Sequence, residues 1–563
     1  MSATRTSALL FCHLVHTDRE VGLTKSKARD ANPLHMVDFS SPPQLARSGS
    51  VPNCWPTARL LAVAGLIVLV TVAVGLRLVP IIVEPSLNWG DEIFQTLEPA
   101  HRLVYGYGLV TWEFQLGMRS WLLPGFVAAL MEAARLISDG PDIYLPAIAA
   151  VFALLASAPV ICCFLWARRW YGLPAAFAGA ALVGIAPELV YFGARALSET
   201  IAAHLLVIAF FLLQTGERSS ARRRLFAAGA LLGFACLLRI HMAPAVLVLA
   251  LWASPASWRS RLPALIAGGL LAGAFGAALD WVSLGYPLAS LWRNLLFNIF
   301  DGVSADFGTE PWNYYLLGEF GLWGTGGLFV LIAAVLGARR LPALLAAALV
   351  IVAVHSGFAH KEYRFIYPAV VFITVLAGLG LAQLTQWAVE WLARQGIESR
   401  LTATLCALLL FAYSGSLMFK AWTSQTMIEL RSRAHDSLLA AAYVRHMPAF
   451  CGVGLYGAEG RDWVIYGGYT YLHRPVRMYW PADERELTRT ARGFDTLIYT
   501  AVPPVELGFT TLACFGKTCV ARRSGPCTAQ PMPTMPFPDP LRSLRPPHED
   551  FEALPASASR TAL

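Results

Sequence analysis

Charge is what this sequence has least of. Lys, Arg, Asp and Glu together supply 14% of its 563 residues, about half the share of an ordinary soluble domain. So little charge cannot clothe a water-facing surface of this size. The 56% of hydrophobic residues and a mean hydropathy of +0.53 put most of the chain against lipid. Other features are missing too. No short apolar core with a cleavage site precedes the first long apolar run, and there is no internal repeat, P-loop, GxGxxG loop or zinc-type Cys/His spacing. A cleaved secretory signal, a nucleotide-binding loop and a metal centre are therefore not expected. The composition also excludes a disordered chain, a collagen-like repeat and a disulfide-dense miniature scaffold.

What is present is a series of apolar runs, and about 20 such residues in a helix cross a hydrocarbon core about 30 Å thick. Eleven are read: 58–80, 145–166, 173–192, 197–214, 225–240, 243–253, 262–283, 319–338, 341–357, 368–388 and 401–419. The fifth and sixth are short and flank a polar break at 239–244. Such breaks are tolerated at membrane depth only where they line a cavity. With the N-terminus in the cytoplasm, Arg168-Arg169, Arg222-Arg223-Arg224, Arg259 with Arg261, Arg339-Arg340, and Arg394 with Arg400 all fall on the cytoplasmic side. That is what the positive-inside rule requires. The net charge of +8 then belongs to these loops and not to a nucleic-acid surface. The opposite face receives the long loop 81–144, the 193–199 turn, the segments 239–243, 284–318 and 358–367, and everything after 420.

Four parts follow. Residues 1–56 read as a disordered cytoplasmic leader and 57–420 as the transmembrane domain. In 421–525, strand-like runs such as 451–456 and Thr496–Tyr499 alternate with Gly and Pro turns, as in a small exported α+β domain. Residues 526–563 read as a Pro-rich disordered tail. Cys451, Cys514, Cys519 and Cys527 lie in the exported part, and their spacing does not decide whether or how they pair.

Three constellations on the outer face carry ionisable residues where these are expensive. The first loop places Asp91-Glu92 directly after the first span, then Trp112-Glu113 and Arg119. Adjacent acids are also what a solvated helix N-terminus prefers, but aromatics and an Arg in the same loop suit a pocket floor. The second is His360-Lys361-Glu362-Tyr363-Arg364-Phe365, a basic cluster on the face otherwise depleted of positive charge. With His355, Arg195, Arg239 and His241 on the same side, it points to an anionic partner, since Arg offers a bidentate fork and Lys a point charge. The third is the aromatic loop 306–316, which includes Trp312 and read alone is only interfacial.

Together the three resemble glycosyltransferase family 22, the mannosyltransferases of GPI-anchor and N-glycan assembly, and most resemble the branch adding the third GPI mannose. The family's His-Pro-Asp-Glu-x-Phe-Gln and Glu-Pro-Ala-His pieces match 88–95 and 98–101, with Trp89-Gly90 in place of His-Pro. Its Gly-Tyr-Gly, Thr-Trp-Glu and Arg-Ser pieces match 106–108, 111–113 and 119–120. Its aromatic loop matches 307–316 with Glu310 and Asn313 replacing two histidines, and its His-Lys-Glu-x-Arg-Phe hallmark is intact at 360–365.

The resemblance implies an all-α multi-pass membrane protein of the GT-C fold with about 11 transmembrane helices, needing neither cofactor nor metal. It also implies an inverting transfer of a hexose, mannose foremost, from a polyprenyl-phosphate-linked donor to a lipid-linked glycan or glycolipid at the non-cytoplasmic face. Asp91 is the expected general base, with Glu92 orienting or tuning it. Lys361, Arg364 and His360 are expected to hold the donor phosphate, with Arg239 and Arg195 as further contributors. Trp112, Glu113, Arg119, Glu362 and Trp312 are taken with them as substrate contacts. The Ala-rich, Arg-over-Lys composition looks bacterial, which implies an inner-membrane location and a glycolipid or polysaccharide precursor as acceptor; a eukaryotic source would place the chain in the endoplasmic reticulum. From the residues alone a transporter or flippase for an anionic lipid or solute is the alternative. The ionisable residues gather at one face, however, and not at the midplane where transporter sites lie.

Overall fold

Each of the eleven apolar runs holds helix in the computed structural model, which describes residues 55–214, 221–252, 258–397, 400–457, 465–500, 505–530, 538–544 and 552–553. The expected leader lies outside the described residues except for its last two. Five helices are long and apolar enough to cross a membrane: Arg59–Ile82, Pro141–Tyr171, Arg259–Leu284, Tyr363–Arg394 and Leu401–Trp422. A sixth candidate is the pair Tyr314–Trp323 and Gly326–Ala338, which meet at 109°.

The shorter helices end for local reasons. Leu173–Ile185 stops where Ala186 is extended (ψ 127°) ahead of Pro187, because a residue before proline is pushed out of the helical region. Ala221–Leu238 stops at Arg239, extended at φ −150° and ψ 101°, before the 3₁₀ turn Ile240–Met242 and the helix Ala243–Trp252. The sharp bend in the eighth run falls at Gly324, with φ 51° and ψ −139°, a conformation reserved for glycine. The run 319–338 is therefore a bent pair and not the straight span its hydropathy suggests.

The helix Tyr367–Arg394 runs through the centre of the bundle, buried along most of its length. Small residues let its neighbours approach. A Cβ on Gly380 would meet the Ala333 carbonyl oxygen at 1.9 Å, and one on Gly179 would meet that of Gly378 at 2.3 Å. Lipid offers no hydrophobic drive between helices, so such close backbone contact is what holds them.

Outside the bundle, the chain after 81 forms the helices Glu98–Tyr105 and Leu122–Arg135. The C-terminal part folds as a five-stranded mixed sheet of β1 (Gly452–Tyr456), β2 (Arg477–Tyr479), β3 (Thr496–Tyr499), β4 (Thr510–Phe515) and β5 (Thr518–Arg522). The strand order is β2-β1-β3-β5-β4, with β1 parallel to both neighbours and the remaining pairs antiparallel. The four cysteines pair as Cys451–Cys527 and Cys514–Cys519.

The sheet and the segment after the first long helix share one core, in which Leu97, Ala100 and Tyr107 pack with Val453, Tyr469 and Ile498. Glu98, fully buried, ties them further. Its carboxylate accepts from Leu109 N (2.9 Å), Tyr469 N (3.1 Å), Thr470 N (2.9 Å) and Thr470 Oγ1 (2.7 Å). The tail is not featureless throughout. Leu541, in the turn Asp539–Leu544, is buried against Trp112, Met118, Phe297 and Val303, since an apolar side chain beside an open apolar patch gains by covering it.

Candidate active site

The three constellations meet at one cavity of about 660 Å³. Its organising group is Arg364, only 2% exposed, in the turn Tyr363–Ile366 that leads into the central helix. The guanidinium donates to Asp91, to Glu199 at 2.9 Å and to Glu362 at 2.5 Å. Glu199, in the first turn of Ser198–Gln214, accepts from Arg239 as well. Four segments far apart in sequence are thus joined by one buried ionic network. A buried guanidinium persists only when so compensated.

Asp91 stands just before a π-helical turn, Ile93–Leu97, a local widening that recurs at functional sites. Its side chain keeps 30% exposure, and among the described residues only one of its two carboxylate oxygens accepts a hydrogen bond. A carboxylate fixed through one oxygen and open to a cavity through the other is suited to take a proton.

Glu92, one residue on, faces elsewhere. Successive helical residues point about 100° apart, and Glu92 bonds Arg195 at 2.9 Å and the Ala196 N–H at 3.4 Å. Arg195 donates also to the Ser86 carbonyl at 2.9 Å and its hydroxyl at 2.7 Å, and lies 4.1 Å over the Tyr191 ring. Neither residue lines the cavity.

The basic hallmark is likewise divided. Lys361 is buried and donates to the carbonyls of Glu310 (2.8 Å) and Phe358, away from the cavity lining. It pins the aromatic loop to the hallmark turn. His360 does line the cavity, donating through Nδ1 to the Gly308 carbonyl (2.9 Å) and, when protonated, through Nε2 to Glu362 (3.3 Å). Burial alone would raise the Glu362 pKa, but Arg364 and His360 hold it at about 2. Burial lowers that of His360, and the Glu362 partner more than reverses this, so it stands raised.

Trp112 lines the cavity and stacks on Phe307 with ring centroids 5.9 Å apart. Trp312 is 71% exposed and does not. Glu113, also in the lining, accepts from Arg119 at 2.6 Å and from Gln95 at 3.0 Å. Arg119, Arg239 and Arg364 all line the cavity, and each already holds a carboxylate. The expected anion site is therefore one of engaged guanidiniums and not of free cations.

The sequence reading passed over Glu199. Its signal was present, as a lone carboxylate opening an otherwise apolar helix, a place where an ionisable residue by default marks function.

With the geometry in view, likeness to known proteins can be weighed. Residues 66–438 match the model of the Alg9-like mannosyltransferase family. GPI mannosyltransferase 3 of Yarrowia lipolytica is 31% identical over 306 residues, 54% of this chain and 60% of that protein. GPI mannosyltransferase 3 of Drosophila melanogaster is 29% identical, over 52% of each chain. The chain thus spans somewhat over half the length of the curated relatives it matches. Among solved structures, ArnT from Cupriavidus metallidurans, crystallised with undecaprenyl phosphate, superposes with a TM-score of 0.55 at 15% identity, covering 82% of this chain and 98% of that one. That likeness is one of fold. The stretch matched in sequence runs from the first membrane helix through the Asp91 loop to beyond the Arg364 hub, and the chain belongs to the Alg9-like mannosyltransferase family.

Proposed function

We propose that this chain transfers mannose from a polyprenyl-phosphate-linked donor to a hydroxyl of a lipid-linked glycan or glycolipid, with inversion at the anomeric carbon. The observation that carries this reading is Asp91, open to the cavity through one oxygen while Arg364 holds the other. In this scheme Asp91 accepts the hydroxyl proton as the oxygen attacks C1, and the bond from C1 to the phosphate oxygen breaks. One inversion follows from one displacement. The departing polyprenyl phosphate gains negative charge, and Arg119, Arg239 and His360 are the lining groups suited to stabilise it. Glu113 and Trp112 form the facing wall against which a sugar ring packs. Lys361, Arg195, Glu92 and Trp312, outside the lining, support the loops in this reading rather than touch substrate.

The relatives' names favour mannose, and the undecaprenyl phosphate held by ArnT favours a polyprenyl carrier. For the membrane we propose eleven crossings, a cytoplasmic N-terminus and a catalytic cavity on the opposite face, supported by the five basic loops and the helix in each apolar run.

The test is the full chain in nanodiscs, given polyprenyl-phosphate-[³H]mannose and a lipid extract as acceptor. Label moving to a new lipid-linked product, lost in Asp91→Asn, is expected. Donor hydrolysis or lipid flipping without transfer would replace this reading with another.

A further inference from the structure

Glu199 is 1% exposed, yet it borders the cavity and meets two guanidiniums on the same oxygen. Oε1 accepts from Arg239 and from Arg364, and Oε2 accepts from the Ser198 hydroxyl at 3.1 Å. With both oxygens engaged, Glu199 is poorly placed to act as a base, unlike Asp91. Its two partners have different duties. Arg364 fixes Asp91, whereas among the described residues Glu199 is the one carboxylate that Arg239 pairs with, its guanidinium lying also over the Phe365 ring, and Arg239 is the cation that an incoming anion recruits.

Two guanidiniums brought this close repel one another, and a shared carboxylate offsets that repulsion. The same carboxylate competes with any phosphate for the same donors. We infer that Glu199 is a positioning residue of the transfer reaction: it sets the place of the Arg364–Asp91 pair and holds Arg239 poised, exchanging it with the donor phosphate. This rests on the donor reading given above.

The inference has a kinetic signature that simple damage lacks. Glu199→Gln keeps the shape and removes the charge. Arg239 is then left without a carboxylate and Arg364 with one fewer, so a phosphate-bearing lipid binds more tightly. The chemical step slows, because Arg364 keeps Glu362 but loses the carboxylate that sets its Nη1 arm, and Asp91 is held less firmly. A side chain that merely filled space would give weaker binding or a smaller active fraction, never tighter binding with slower turnover.

The experiment compares wild type, Glu199→Gln and Glu199→Asp as full chains in nanodiscs. It measures transfer from polyprenyl-phosphate-mannose and, separately, direct binding of polyprenyl phosphate. For Glu199→Gln we expect kcat at least tenfold lower and polyprenyl phosphate bound at least threefold tighter. Glu199→Asp keeps the charge but, one methylene shorter, cannot span both guanidiniums. Its binding should stay near wild type while kcat falls at least threefold. A Glu199→Gln protein with kcat within twofold of wild type, or with weaker binding, overturns the inference. If that variant does not fold, wild-type kcat in Glu199→Asp overturns it instead. Wild type that neither transfers mannose nor binds the lipid phosphate overturns the donor reading itself, a result distinct from either variant's.

Discussion

The guanidinium of Arg364 donates to the carboxylate of Asp91, joining the hallmark turn to the loop after the first long helix across 273 residues of chain. The partnership fixes the carboxylate's direction and leaves one oxygen for a substrate proton. It also separates Asp91 from Glu92, which the sequence sets side by side.

Asp91→Asn should fold and lose activity. Positioned acid–base groups are worth about 10²–10⁴-fold, so mannosyl transfer should fall by at least about 100-fold, with a smaller loss of melting temperature than at Glu92, since Asp91 is part-exposed and Arg364 keeps Glu199 and Glu362. Glu92→Gln should do the reverse. Breaking a buried ion pair costs about 3–5 kcal/mol, so this variant should melt early while its folded fraction turns over at a near-normal rate. A catalytic loss at Glu92 exceeding that at Asp91 would exchange the two roles.

Lys361→Met should behave as a loop-stability variant. The ammonium serves two backbone carbonyls, and a charged hydrogen bond lost in a buried place costs about 1.5–3 kcal/mol. Thermal unfolding should register that loss, and donor binding should change by no more than a few-fold. A hundredfold rise in donor KM with unaltered unfolding would put Lys361 back on the phosphate.

The pair of tryptophans offers a simple contrast. Trp112→Ala removes a cavity wall and the stack on Phe307, and should raise the acceptor or donor KM at least tenfold. Trp312→Ala removes an exposed ring and should leave both within twofold. Equal effects at the two positions would mean that the aromatic loop closes over substrate.

The His360–Glu362 contact sets a pH window. Glu362, held at about 2 when folded, contributes stability above its unfolded value of about 4.3, and that contribution fades as pH falls toward 2. His360 is raised on folding, so its share is full below about 6.5 and is lost as pH rises through the folded value. Both shares are present only between those limits. The melting-temperature gap between wild type and His360→Gln should be widest from about pH 4.3 to 6.5 and narrow on either side. A gap constant from pH 4 to 9 would show that the two groups do not titrate together.

Much of the bundle was legible because a membrane helix declares itself by length and apolarity, and each run does hold a helix. The bends were not. Gly324 and Ala186 break helices through backbone angles that hydropathy does not register. In the site, Asp91, Glu113, Arg119, Arg239, His360, Glu362 and Arg364 were identified by residue type and loop, and the structure brings them to one cavity. Glu92, Lys361 and Trp312 belong to the same motifs and point away from it. Motif membership says which backbone segment reaches the site, while the direction of each side chain is settled by partners distant in sequence. Glu199 shows the converse, for its partners Arg239 and Arg364 lie 40 and 165 residues away.

The Glu98 clamp bears on the timing of synthesis. Of the four donors that satisfy this buried carboxylate, three come from Tyr469 and Thr470, more than 370 residues downstream. Until the ribosome has made residue 470 and that segment has reached the loop, Glu98 lacks the partners its burial requires. The loop bearing Asp91, seven positions earlier, therefore assumes its final form only late in biogenesis. A nascent chain that already holds the helices up to Trp422 is still without a finished Asp91 loop until residues 469 and 470 have been made and packed.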